Sequence, residues 1–148
     1  YTTTDTLPYT TLFRSPPELQ KKAWDVGLTE EEARGQLANY AAGVRERLKT
    51  TLGGAYVHLD RPRQMALESM MYNLGETKFR GFDRTLRHLR EGNFEKTADE
   101  MLDSDWYRNP KTKRRAEELA SIMRTGQLPE WLVKKLADRR RRMRDAAS

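Results

Sequence analysis

Ala33, Leu37, Tyr40, Ala41, Val44 and Leu48 recur at steps of three and four residues, which lays one apolar stripe along a helix. Thr29, with Glu32 three residues later, makes a capping box at its start. Gly53-Gly54 ends this helix or loosens the chain just after it. The next segment, RQMALESMMYNLG, comes after Asp60 as a cap and Pro62 in the first turn. Met65, Ala66, Leu67, Met70, Met71, Tyr72 and Leu74 cover most of its circumference. A helix that is apolar nearly all round belongs at the centre of a core, wrapped by other helices. Gly75 is its natural stop.

Three shorter amphipathic pieces come next. GFDRTLRHLREG puts Phe82, Leu86 and Leu89 on one side. NFEKTADEMLDSDW, capped by Asn93, does the same with Phe94, Ala98, Met101 and Leu102. RRAEELASIMRTG aligns Ala116, Leu119, Ala120 and Met123 and stops at Gly126. Pro129 separates this piece from a last, basic helix starting near Trp131. No strand and no internal repeat are apparent, so residues 28–129 predict an all-α bundle around one central apolar helix.

The opening is different. YTTTDTLPYTTLFRS has neither a helical nor an alternating period. PYTTLFRS resembles the conceptual translation of a sequencing-adapter oligonucleotide; the alternative is a genuine, weakly structured arm. Residues 1–15 are therefore expected to be non-native or disordered, and residues 16–27, after Pro16-Pro17, the remnant of a preceding lobe.

Composition narrows the chemistry. The 148 residues suffice for one domain. Without cysteine there are no disulfides or thiolate metal sites, and His58 and His88 stand in no ligand spacing, so neither cofactor nor metal is expected. Residues 130–148 hold seven Lys or Arg against three Asp or Glu, a net of +4, which leaves +2 for residues 1–129 out of a total of +6. Such a tail attracts anionic wall polymer, an outer membrane surface or nucleic acid, or is simply a solvated helix face. No aromatics interleave its bases, which disfavours nucleic acid. No apolar run spans a membrane, and no signal peptide is visible.

In their order and spacing, LTEEEA, ALESMMYNLG, GFDRTLRHLREGNFEKTADEMLDSDWYRN and RRAEELASIMRTG resemble the second lobe and linking helix of the phage-type lysozymes, from Leu28 to Gly126. The resemblance implies hydrolysis of the β-1,4 bond between N-acetylmuramic acid and N-acetylglucosamine in bacterial peptidoglycan, in host cytoplasm and then cell wall or periplasm. Such enzymes need a partly desolvated carboxylic acid to protonate the leaving oxygen. The family places it on a first helix, in a Glu followed by Gly and Arg, ahead of a strand with a TIGxGH-like motif. Neither motif occurs here, so the N-terminal α+β catalytic lobe is expected to be absent or truncated and the chain inactive. Glu18 and Asp25 match no such motif, and Glu30, Glu31 and Glu32 suit a helix first turn. No catalytic residue is assigned.

The resemblance also places Asn73, Ser69 and Arg115 along the substrate side, and Trp106 is a further candidate there as an aromatic. Asn73 and Ser69 offer an amide and a hydroxyl to sugar substituents. The alternatives are a helix C-cap for Asn73 and a small packing residue for Ser69. Arg115 suits peptide carboxylates, or else a salt bridge with Glu118. Trp106 could stack on a sugar, though a core anchor is the simpler role. The expected partner is peptidoglycan. A monomer is expected, or a dimer if the long helix is left with uncovered apolar surface. The competing function is a non-catalytic module that binds wall or nucleic acid.

Overall fold

The computed structural model describes the backbone of residues 30–147 and the side chains of residues 41–147; what was expected of residues 1–29, including the cap at Thr29, and of the side chains of Ala33, Leu37 and Tyr40 lies outside these. Nine helices succeed one another among the described residues: α1 Glu30–Leu52, α2 Gly54–Val57, α3 Arg61–Leu74, α4 Glu76–Arg80, α5 Asp83–Arg90, α6 Phe94–Leu102, α7 Asp105–Arg108, α8 Lys113–Thr125 and α9 Glu130–Ala147. No strand occurs among them. The fold is an all-α, lysozyme-like bundle, and none of these helices is long and apolar enough to cross a membrane.

The bundle is organised by α3. Its residues from Met65 to Tyr72 are buried without interruption, two full turns closed off from water on every side. Against it lies α1, which contributes Ala41, Val44, Leu48 and Leu52. Opposite, α8 supplies Ala116, Leu119, Ala120, Ile122 and Met123. Phe79 of α4, Leu86 and Leu89 of α5, and Ala98 and Met101 of α6 complete the core. At about 1.5–3 kcal/mol for each large side chain removed from water, this burial is the main force holding the helices together.

Three boundaries differ from the periodicity. Gly75 does end α3, but at φ 84° it turns the chain straight into α4, a helix too short to show a pattern. Gly53, at φ 55°, likewise ends α1 and opens the single turn of α2. The segment from Asn93 to Trp106 is two helices. The Ser104 hydroxyl accepts from the Tyr107 amide at 3.3 Å and caps α7, so α6 stops at Leu102. The side chain competes locally with the helix ladder and wins. The caps at Asp60 and Asn93 form as expected, accepting from the Arg63 and Lys96 amides at 3.2 and 3.1 Å.

One side chain ties the ends of two helices together. Arg63 donates from Nε to the Met123 carbonyl at 2.7 Å and from Nη2 to the Arg124 carbonyl at 3.1 Å. It also pairs with Asp60 at 3.0 Å and lies 3.8 Å over the Phe94 ring. The guanidinium thereby satisfies carbonyls that the last turn of α8 leaves open. Gly126 makes room for it: at φ 72°, an added Cβ would lie 2.9 Å from Arg63 Nη1. Gly126→Ala should therefore lower the unfolding free energy in urea by about 1–2 kcal/mol, from left-handed strain alone, and by more if Arg63 is displaced. An unchanged denaturation midpoint would contradict this account of the turn.

The apolar pattern conceals one charged residue. Glu68 faces the interior of α3 at 1% exposure. Its Oε1 accepts from the Tyr56 hydroxyl at 2.8 Å and from Arg61 Nη1 at 3.0 Å, while Oε2 has no hydrogen-bond partner among the described residues. Burial pushes the Glu68 carboxyl above its ordinary 4.5, with the Arg61 guanidinium acting in the opposite direction. Burial and the neighbouring Glu68 also hold the Tyr56 hydroxyl well above the usual tyrosine range, so it remains a donor. Because the folded pKa of Glu68 exceeds the unfolded one, its contribution is fully present at low pH and fades as pH rises through the folded value. Unfolding free energies measured from pH 4.5 upward should carry this decline in the parent protein and lack it in Glu68→Gln. Equal slopes in the two proteins would disprove it.

Candidate functional site

Where α3 ends, the chain turns away and leaves a cleft of about 890 Å³ bounded by α3, α4, α5, α6, α7 and the start of α8. Asn73 and Leu74 form its floor near the Gly75 turn; Phe82 and Trp106 form an apolar wall. The two rings meet edge to face, with centroids 6.3 Å apart and planes at 88°. The Trp106 carbonyl accepts from Thr112 Oγ1 at 2.5 Å, which holds the link between α7 and α8 against the wall. Trp106 is 6% exposed and belongs to the core cluster, so its ring braces the cleft rather than offering a free face.

Asn73 sits at the centre of a short polar chain. Its Nδ2 donates back to the Ser69 carbonyl at 2.6 Å and to Ser69 Oγ at 3.3 Å. Its Oδ1 accepts from Arg115 Nη1 at 2.7 Å, across from the first turn of α8. The helix cap is Gly75, beyond the turn whose carbonyl Asn73 engages, so the amide is turned inward and does not cap. Glu118 pairs with Arg114 at 3.6 Å.

The structure thus brings three of the four expected residues together in one bonded row, with Trp106 in the wall beside it. Asn73 and Trp106 line the cleft itself. Ser69 is 1% exposed and lies behind Asn73, and Arg115 holds Asn73 from the other side. Charges of both signs surround them: Lys78, Arg84 and Arg108 against Asp83, Glu100, Asp103 and Asp105. Arg108 is tied to Asp103 and, at 3.3 Å, to Asp105. These charged residues and Asn109 were not singled out by sequence reasoning. They come from several separate helices and loops, and no spacing along the chain unites them.

Among the described residues, the cleft offers no acid held away from water. Asp83, Asp103 and Asp105 are exposed, and Glu100 is half-buried. Glu68, the one deeply buried carboxyl among the described residues, is bound to Tyr56 and Arg61 in the interior and does not line the cleft.

An all-α lobe built on one buried helix, with a polar cleft at that helix's end, defines the class as a lysozyme-like helical lobe. The chain belongs to the phage lysozyme family, whose family model matches residues 6–121. That match begins upstream of Leu28. Over 82 residues the chain is 32% identical to Probable T4-type lysozyme 2 of Dictyostelium discoideum, covering 55% of this chain and 47% of that protein. Probable T4-type lysozyme 1 of the same organism is 32% identical over 78 residues, covering 53% and 45%. The pre-baseplate central spike protein Gp5 of Enterobacteria phage T4 is 32% identical over 108 residues, 72% of this chain and 18% of that protein. The chain therefore spans about half the length of the two Dictyostelium proteins and less of the spike protein.

The bonded row predicts unequal effects. Arg115→Met removes a charged donor from Asn73 Oδ1 and should lower the unfolding free energy by about 1.5 kcal/mol, as expected for a charge-assisted hydrogen bond. Ser69→Ala leaves the shorter bond to the Ser69 carbonyl and should cost less than about 0.5 kcal/mol. Urea unfolding of each variant checks the order; the reverse order would refute it.

Proposed function

We propose that this lobe serves peptidoglycan hydrolysis of the lysozyme type by holding the wall polymer along the cleft at the end of α3. Family membership supports the substrate class, and the row Ser69–Asn73–Arg115 beside Trp106 supports the grip. With Nδ2 committed to Ser69 and one lone pair of Oδ1 to Arg115, Asn73 offers the remaining acceptor capacity of Oδ1 to N–H and O–H groups of the glycan, and Arg115 and Ser69 fix its orientation. Phe82, braced from behind by Trp106, supplies the apolar wall on which a sugar's carbon face rests. The mixture of cations and anions around the rim suits a stem peptide carrying both carboxylate and amine groups.

In this reading the described lobe holds the strand and does not cut it. The single observation that carries the reading is the cleft's chemistry: hydrogen-bonding groups are in place, while a desolvated acid able to protonate a glycosidic oxygen is not among the described lining residues. Two measurements on purified cell-wall sacculi test it. The chain should co-sediment with them, and Asn73→Ala should reduce the bound fraction by about three- to tenfold. Release of new reducing ends should stay at the level of a blank. Reducing ends produced by this chain would overturn the holding role, and failure to bind sacculi would overturn the substrate assignment.

A further inference from the structure

Helix α9 carries a surface that the cleft does not use. Leu132, Leu136, Met143 and Ala147 succeed one another at steps of four, seven and four residues, so they share one face of the helix. Leu132 is fully buried and Leu136 packs on the core, which docks the first half of α9 onto the bundle. From Arg140 to Ala147 every residue is exposed. The apolar face therefore runs out from the core into solvent, and Met143 stands 54% exposed on it.

Arginines surround this exposed end. Arg140, Arg142 and Arg144 stand exposed there, beside Arg139, Arg141 and the acids Asp138 and Asp145. Arg141 is bonded to Asp138 at 2.6 Å. Arg140 and Arg144 are one turn apart and repel each other. With five arginines against Asp138 and Asp145, residues 138–147 carry a net charge of +3.

We propose that the outer half of α9 docks on the face of a bilayer carrying anionic phospholipid headgroups. Two features together point to this partner. Guanidinium groups match phosphate oxygens in geometry and charge. An exposed apolar side chain among them adds a contribution that phosphate alone does not reward: Met143 enters the headgroup boundary while the arginine stems lie along the apolar face and reach back to the phosphates. A nucleic acid or a wall polymer would engage the arginines and leave Met143 without effect. The helix lies on the surface and does not span it, in keeping with the lack of any long apolar helix among the described residues.

The test uses the full chain and vesicles of phosphatidylcholine, with and without phosphatidylglycerol. The chain should co-sediment with the anionic vesicles and not with the neutral ones. Joint replacement Arg140→Gln, Arg142→Gln and Arg144→Gln should reduce partitioning at least about tenfold. Met143→Ser alone should reduce it by about two- to fivefold. It alters one exposed side chain and so tests the idea even if the triple variant folds poorly; thermal unfolding by circular dichroism checks both. A parallel titration uses a duplex DNA of random sequence. Absence of binding to anionic vesicles, retention by a folded triple variant, or binding indifferent to Met143 and equalled by DNA would each overturn the proposal. No glycan enters this test, so its failure leaves the wall-binding role of the cleft intact, and the sacculi experiment can fail without affecting it.

Discussion

Everything in this molecule depends on the enclosure of α3. A helix buried for two full turns requires neighbours, and α1, α4 and α8 pack directly on it, while α6 packs on α8 and α5 on α6. Their positions reflect what each brings: a long aliphatic stripe from α1, single aromatic or aliphatic plugs from the short helices, and a small-residue seam at Ala116 and Ala120 that lets α8 come close. Removing apolar surface from water has no direction of its own. The direction comes from the turns, where Gly53, Gly75 and Gly126 adopt backbone angles closed to most residues.

The cleft is a by-product of the same enclosure. Once α3 has to stop, its last turn can no longer be covered by side chains from its own sequence neighbours. Asn73 lies at that point and is held by two residues, Ser69 of its own helix and Arg115 of α8. The buried Glu68 shows the other way a polar residue is tolerated in this helix. Deep in the core it needs Tyr56 and Arg61 together, and burial still disfavours its charge. The same helix thus carries one polar residue enclosed in the core with its partners and another fixed by them at the edge of the cleft.

Charge is distributed with a similar division. Over the body, ion pairs such as Arg124 with Glu95 and Asp99 join neighbouring helices and neutralise one another. They are largely exposed, and each contributes little to stability. In the outer half of α9 the arginines outnumber the acids, and residues 140–147 lie exposed outside the core.

The sequence alone determined the helical class, the central place of the Met-rich segment, the caps at Asp60 and Asn93 and the stop at Gly126. Each of these is a local matter of period, hydrogen-bonding side chain or permitted backbone angle. It also marked Asn73, Ser69 and Arg115, through resemblance to the phage-type lysozymes and not through any spacing, and Trp106 as an aromatic with a core role favoured over sugar stacking. Only the tertiary structure decided that Ser69 and Arg115 stand behind Asn73, that Trp106 braces a wall, and that α6 and α7 are separate. The same holds for the buried state of Glu68 and the cleft's mixed charges. These depend on which helices meet, and Asn73 and Arg115, 42 residues apart, become partners only when α8 packs across the end of α3.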